Sequence, residues 1–219
     1  MKDTIQDQLF QLMLNSKKEA AIQLIEKYAD QYDYEKAILE LLEPALHRFG
    51  IIWGRQENVS LAQGYIAARI AEEVLNKVVQ SRNSMVAEEK GPVVIGNVED
   101  DYHALGRKMV CTFLRTYGWQ VIDMGNDVLA EDFINKACEV GARVIGVSAM
   151  MYTTAVNIRK VRDAIDKRGL QGKIRLAVGG AVFTLRPELV QEVGGDGTAA
   201  NALAAPELMQ SLWEASEGH

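Results

Sequence analysis

Residues 92–106 read PVVIGNVEDDYHALG, and this stretch decides the fold of the second half of the chain. The run from Val93 to Val98 is largely apolar, which is typical of a strand that is buried on both faces of a parallel sheet. A short acidic loop follows, and a helical pattern of apolar residues begins near Ala104. The stretch therefore predicts a strand that runs into a polar loop and then into a helix.

The same alternation of short apolar runs and helical segments continues along the rest of the chain. It predicts an α/β fold, a doubly wound parallel sheet with helices on both faces, in a flavodoxin-like or Rossmann-like strand order. The predicted strands lie at 93–98, 120–124, 143–148 and 174–178, with a short fifth strand near 197–199. The predicted helices lie near 104–117, 130–140, 154–168 and 202–215.

The first half of the chain is different, because apolar residues recur there at helical spacing and no strand pattern is visible. This half is expected to form a four-helix bundle over residues 1–84. Residues 85–91 lose the periodicity and are interpreted as a linker. The predicted α/β domain then occupies residues 92–219.

Local signals mark where the helices of the first half begin and end. Ser16 with Glu19, and Ser60 with Gln63, have the spacing of a capping box at a helix start. Gly50 follows an apolar helical pattern and is expected to end that helix.

Composition excludes several classes of function. The 219 residues carry 24 Lys and Arg against 30 Asp and Glu, a formal charge of -6, without a basic block, so a nucleic-acid partner is not expected. The chain has no apolar run of about 18 residues and begins with a polar helical pattern. A cytoplasmic protein without a membrane partner is therefore expected. The two cysteines are too far apart for a zinc knuckle or a disulfide framework.

The predicted sheet also indicates where a ligand would bind. In open α/β sheets ligands lie at the carboxyl ends of the strands. The first strand ends in the loop 101–106, the third at 148–150 and the fourth at Gly179-Gly180. We expect these three strands to be neighbours, so that an imidazole, a hydroxyl and a double glycine line one groove that suits a large ligand.

His103 is the candidate ligand atom for a metal at this edge, since an imidazole nitrogen binds transition metals and a nearby carboxylate can hold its other nitrogen. Asp101 lies two residues away and would face the same side of an extended segment. With three histidines in the chain, a cofactor would have to bring the remaining ligands. The alternatives are a loop histidine satisfied by hydrogen bonds and an Asp101 that caps the helix beginning near Ala104.

The motifs at the three strand ends resemble those of the cobalamin-binding domains, which are D-x-H-x-x-G, S-x-L and G-G. Asp101, His103 and Gly106 match the first motif, and residues 107–147 form the usual gap before the second. Met150 stands where leucine is usual, and residues 151–178 separate it from the double glycine. The helical half resembles the four-helix cap of corrinoid proteins in methyltransferase systems and of cobalamin-dependent methionine synthase.

The resemblance implies a cobalamin cofactor, a methylcobalamin or related corrinoid with its cobalt, and a role for each matched residue. His103 would be the lower axial ligand of cobalt, and Asp101 would support it, which makes these two the candidate catalytic residues. Ser148 would hydrogen-bond the buried benzimidazole nitrogen of the nucleotide tail. The remaining candidate cofactor-binding residues are Gly106, Met150, Gly179, Gly180 and, over the upper face of the corrin ring, Trp53.

The resemblance further implies a carrier protein rather than a complete enzyme. A substrate-specific methyltransferase would place a methyl group on the cobalt, and a second methyltransferase would move it to tetrahydrofolate or coenzyme M. A corrinoid-reactivating protein is a further expected partner. One alternative is an adenosylcobalamin-binding sensor that lacks its DNA-binding domain, and another is a flavodoxin-like domain without a corrinoid.

Overall fold

A computed structural model describes residues 4–54, 60–82 and 90–216, without the side chains at 50, 53, 54, 61 and 79–82. The chain divides into two compact units, Met1–Asn83 and Ser84–His219. The described part of the first unit is helical throughout. Its helices are α1 (Ile5–Leu14), α2 (Lys18–Gln31), α3 (Tyr34–Ala37), a π-helical turn (Ile38–Leu42), α4 (Glu43–Gly54) and α5 (Leu61–Arg82).

The core of the helical unit is largely aliphatic, and Leu9, Ile25 and Ile70 are fully buried in it. Helix α1 packs on α2, α4 and α5, and α2 also packs on α5. The helical character predicted for this half is confirmed, whereas the description as a four-helix bundle stays a prediction.

The predicted helix starts and ends in this unit are partly wrong. Ser60 and Gln63 do form the reciprocal bonds of a capping box, with the Ser60 nitrogen 2.7 Å from Gln63 Oε1. Ser16 does not cap α2, because its φ of 54° places it outside the helix and Lys17 takes the cap position. Helix α4 also continues through Gly50 to Gly54, since a single glycine weakens a helix without ending it.

The second unit is an α/β domain with a parallel sheet, as predicted. Its strands are β1 (Lys90–Asn97), β2 (Trp119–Asp123), β3 (Val144–Ser148) and β4 (Arg175–Gly179), in the order β2-β1-β3-β4. The helices are α6 (Ala104–Thr116), α7 (Ala130–Val140), α8 (Tyr152–Ala155), α9 (Ile158–Lys167), α10 (Ala181–Leu185), α11 (Leu189–Glu192) and α12 (Ala205–Ala215).

Successive residues of β1 enter two different cores, which shows that both faces of the sheet are covered. Val94 packs with Phe133 of α7 and Ile158 of α9 on one face. Val93 packs with the buried residues of α6 and α12, among them Leu114, on the other face. A strand buried on both faces needs an apolar run, which is why the sequence predicts β1.

The predicted fifth strand is wrong, since within the described residues Gly197 makes only an isolated bridge to Ala177. The side chain of Asp196 accounts for this. Its Oδ2 accepts a hydrogen bond from the backbone nitrogen of Leu176 at 2.6 Å, so a carboxylate takes the place of a ladder carbonyl. The predicted helix at 154–168 is also divided, into α8 and α9. No helix in the described ranges is long and apolar enough to cross a membrane.

Candidate functional site

The carboxyl ends of β1, β3 and β4 lie side by side at one edge of the sheet. Asn97 pairs with Ser148, and Ser148 pairs with Gly179. The expectation that these three strands are neighbours is therefore confirmed. The structure brings the segment 101–106, Ser148 and the double glycine to the edge where parallel sheets bind ligands.

Asp101 is the buried centre of this edge, with no exposed surface. Its Oδ1 accepts hydrogen bonds from Asn97 Nδ2 at 2.8 Å and from the His103 backbone nitrogen at 2.9 Å. Its Oδ2 accepts from the Met150 backbone nitrogen at 2.9 Å and from Thr154 Oγ1 at 2.8 Å. A buried carboxylate with four donors is held in one orientation.

The same contacts determine the protonation of Asp101. Burial by itself raises the pKa of this carboxyl group, but the hydrogen bonds from Met150, His103, Thr154 and Asn97 outweigh it and leave the pKa below its ordinary value. Asp101 is thus a stable anion next to the histidine.

His103 presents its imidazole at the surface, with 44% of the side chain exposed. Its Nδ1 lies 3.4 Å from Asp101 Oδ1. The other ring nitrogen, Nε2, has no protein partner among the described residues and is the atom left for an external ligand. His103, not Asp101, occupies the N-cap position of α6, so the capping alternative for Asp101 is wrong. The carboxylate instead binds the His103 amide.

Ser148 is the last residue of β3, and Met150 lies two positions later. The two residues make different contacts. The Ser148 carbonyl accepts a hydrogen bond from the Val98 nitrogen at 3.1 Å. Its half-buried hydroxyl has no hydrogen-bond partner in the part of the chain that the structure describes. Met150 is held through its backbone nitrogen by Asp101, while 45% of the residue is exposed. A free hydroxyl and an exposed thioether are therefore available to a ligand.

The three candidate glycines differ in what their neighbours require. A Cβ on Gly180, whose φ is 117°, would lie 2.0 Å from the Ala149 carbonyl oxygen, so the protein itself demands glycine there. A Cβ on Gly106 or on Gly179 would meet no atom within 4 Å. The fold would therefore accommodate alanine at these two positions, and the space in front of them is open to a ligand.

Three polar residues at this edge escaped the sequence analysis, namely Asn97, Arg107 and Thr154. Thr154 supplies the fourth donor to Asp101. Arg107 Nε donates to Asn97 Oδ1 at 2.7 Å, and Asn97 in turn donates to Asp101. A buried polar residue inside an apolar strand was the available signal for Asn97. For Arg107 it was a charge at helical spacing from the buried Cys111 and Leu114.

One predicted site residue, Trp53, belongs to the helical unit. Trp53 belongs to α4 by its backbone, and its side chain lies outside the described residues. Its role over the corrin ring stays a prediction. Within the described ranges there is also no group of three or more His, Cys, Asp or Glu residues able to hold a metal ion. His103 would therefore serve a metal as one ligand among others that a cofactor provides.

The edge fits a corrinoid on the chemistry of its residues. A lone exposed imidazole backed by a buried carboxylate is the arrangement of a metal-ligating histidine with its supporting partner. The open space at Gly106 and Gly179 leaves room for a large group, and the Ser148 hydroxyl, which no described residue binds, offers it a polar partner.

Comparison with known proteins agrees with this interpretation. A family model described as a B12 binding domain matches residues 91–207, and a second model of the same description matches residues 5–78. The chain is 30% identical to dimethylamine corrinoid protein 1 of Methanosarcina mazei, over 93% of this chain and 94% of the relative. It is 27% identical to a corrinoid protein of Desulfitobacterium hafniense, over 94% and 96%.

Solved structures share the fold. The Methanosarcina barkeri monomethylamine corrinoid protein matches with a TM-score of 0.82 and 23% identity, over 95% of this chain and 98% of that one. The methanol:cobalamin methyltransferase complex MtaBC of Methanosarcina barkeri matches with a TM-score of 0.51 and 20% identity, over 100% of this chain and 82% of that one. Two matched B12 binding domains and this similarity to corrinoid proteins along almost the whole chain establish that the protein belongs to the family of B12-binding corrinoid proteins.

Proposed function

We propose that this protein carries a methyl group on the cobalt of a bound corrinoid between two methyltransferases. The observation that carries the proposal is the exposed imidazole of His103, which lies 3.4 Å from the fully buried carboxylate of Asp101 at the open edge of the sheet. When bound, the corrinoid supplies the cobalt that takes up and gives off the methyl group. The chain binds the corrinoid, orients it and shields it from solvent.

Each residue at the edge has a distinct part in this proposal. His103 would hold the cobalt through Nε2, and Asp101 would keep the ring in one orientation through the Nδ1 side. The Ser148 hydroxyl would hydrogen-bond the benzimidazole of the nucleotide tail, and the open positions at Gly106 and Gly179 would let that tail lie against backbone. Gly180 has a different role, because it shapes the turn that follows β4.

We further propose that substrate recognition belongs to a partner methyltransferase. Relatives over nearly the full chain are named as dimethylamine corrinoid proteins, which makes methylated amines the donor class to test first. The solved methanol:cobalamin methyltransferase complex MtaBC contains a chain of similar fold, which supports a methyltransferase as partner. The second partner would pass the methyl group to tetrahydrofolate or coenzyme M.

The test is reconstitution of the purified protein with hydroxocobalamin, reduction of the bound cobalt(III) to cobalt(I) with titanium(III) citrate, and then addition of a methylamine methyltransferase and its substrate. A stoichiometric complex whose visible spectrum changes when methylamine, dimethylamine or trimethylamine is added, but not without the methyltransferase, supports the carrier. Failure to bind hydroxocobalamin would contradict the proposal outright. Selective binding of adenosylcobalamin with light-dependent assembly would support the sensor alternative instead.

A further inference from the structure

We propose that Arg107 is a positioning residue that sets the orientation of His103 by fixing the side-chain amide of Asn97. The inference rests on the proposed function only for the identity of the group that His103 meets. Arg107 is itself buried, with 4% of its side chain exposed, and lies on α6 one helical turn after His103. A buried guanidinium must have its donors paired, so its partners are part of its role.

The partners of Arg107 come from three different segments. Its Nε donates to Asn97 Oδ1 at the end of β1, at 2.7 Å. One terminal nitrogen pairs with the carboxylate of Asp123 at the end of β2. The other donates to Asn126 Oδ1 in the loop after β2, at 3.2 Å. The planar fork therefore joins two strand ends and one loop beside the candidate site.

The contact with Asn97 determines which way that amide points. An arginine can only donate hydrogen bonds, so the amide oxygen of Asn97 must face Arg107 and the NH2 group must face the opposite side. On that side lie two acceptors, Asp101 Oδ1 at 2.8 Å and the His103 carbonyl oxygen at 3.2 Å. If the amide were reversed, its NH2 group would face the Arg107 Nε donor. Its oxygen would then face Asp101 Oδ1 and the His103 carbonyl oxygen.

Both backbone polar groups of His103 that border this network are held by it. The His103 carbonyl accepts from Asn97, and the His103 nitrogen donates to Asp101 Oδ1, which Asn97 also binds. The ring Nδ1 lies near that same oxygen. Because Arg107 fixes the amide and the amide fixes these acceptors, Arg107 sets the angle at which the imidazole is presented.

Lysine cannot replace arginine in this role. An ammonium is a single compact charge, so it can keep the pairing with Asp123 but cannot also donate to Asn97 in the fixed geometry of the fork. Arg107→Lys therefore keeps the positive charge of residue 107 but removes the hydrogen bond from Nε to Asn97 Oδ1. Asp123→Asn is the matched control, since it removes the charge partner and leaves the Nε bond to Asn97 in place.

The experiment measures the ring nitrogens of His103 by 15N NMR in the protein without corrinoid, with the signal assigned by its loss in His103→Gln. Arg107→Lys should shift this signal and weaken hydroxocobalamin binding by roughly 10-fold. Asp123→Asn should lower stability and leave the signal in place. An unchanged His103 signal in Arg107→Lys, or an equal shift in Asp123→Asn, would overturn the proposal.

Asn97→Asp decides the matter even if Arg107→Lys does not fold. The new carboxyl group keeps the contact with Arg107 but has at most one proton to share between Asp101 and the His103 carbonyl, where the amide has two, so the His103 signal should shift as well. A wild-type signal in Asn97→Asp would refute the inference. The His103 signal is measured without corrinoid. A failure of the wild-type protein to bind hydroxocobalamin would therefore count against the proposed function and not against this role of Arg107.

Discussion

The carboxylate of Asp101 and the backbone nitrogen of Met150 lie 2.9 Å apart although 49 positions separate them in the chain. This bond joins the loop after β1 to the loop after β3. A single buried anion thus holds together the two segments that carry the imidazole and the exposed methionine.

Asp101→Asn should destabilise the protein by roughly 3 kcal/mol, because it removes the charge and turns one carboxylate oxygen into a donor that faces the backbone N–H of His103 or of Met150. The free energy of unfolding in urea, measured without corrinoid, tests this. Asp100→Asn is the matched control, since Asp100 is exposed and asparagine tolerates its φ of 67°. Its effect should stay below about 0.5 kcal/mol, and equal losses in the two variants would contradict the role of Asp101.

The pH dependence of the free energy of unfolding should reveal the titration of Asp101. The pKa of Asp101 is lower in the folded protein than in the unfolded chain, where it is about 3.9. Its contribution is therefore complete above that value and is lost as the pH falls from there through the folded pKa. Between about pH 5 and 3 the wild type should lose more stability than Asp101→Asn. Parallel curves for the two proteins would show that Asp101 is not the titrating group.

Adjacent glycines should respond in opposite ways to alanine. Gly180→Ala forces a Cβ to 2.0 Å from the Ala149 carbonyl oxygen, so it should destabilise the fold by several kcal/mol, on the order of the largest single-residue effects. Gly179→Ala meets no protein atom and should keep the wild-type unfolding midpoint, yet weaken hydroxocobalamin binding. Urea unfolding and a visible titration measure the two effects. Full cofactor affinity in Gly179→Ala would indicate that the open space is not used.

Gly106→Ala should raise stability and lower cofactor affinity. Gly106 lies in the first turn of α6 with open space around its Cα hydrogen, and alanine favours a helix over glycine by about 1 kcal/mol. A corrinoid lying against that turn would meet the added methyl group. A stabilised variant with unchanged hydroxocobalamin affinity would mean that the cofactor does not approach α6 there.

Much of the fold is predictable because strands buried on both faces must be apolar, and β1 and β3 were recognised from that pattern alone. One failure arises where a side chain replaces a backbone partner, and another where the backbone turns before a helix. Asp196 takes a ladder position with its carboxylate and so prevents a fifth strand. The start of α2 differs from the prediction because Ser16 adopts a φ of 54°, which leaves the cap position to Lys17.

The candidate site was predictable to the extent that its residues are close in sequence. Asp101 and His103 stand two positions apart and were found together. Thr154 and Arg107 escaped, because their roles depend on which loops and helices converge on Asp101 and Asn97, and neither residue type signals a ligand on its own. Spatial convergence of distant polar groups is what the fold adds to the sequence.

The most direct test of the account is whether His103 binds the cobalt. The protein is produced with 15N-labelled histidine, loaded with corrinoid and reduced to the cobalt(II) state, and its electron paramagnetic resonance spectrum is recorded. The account predicts that each cobalt line splits as a triplet in the unlabelled protein and as a doublet in the labelled one, and that His103→Gln loses this response while His47→Gln keeps it. A splitting that is unaffected by the histidine label would show that the cofactor's own base still occupies the cobalt, and it would contradict the central claim.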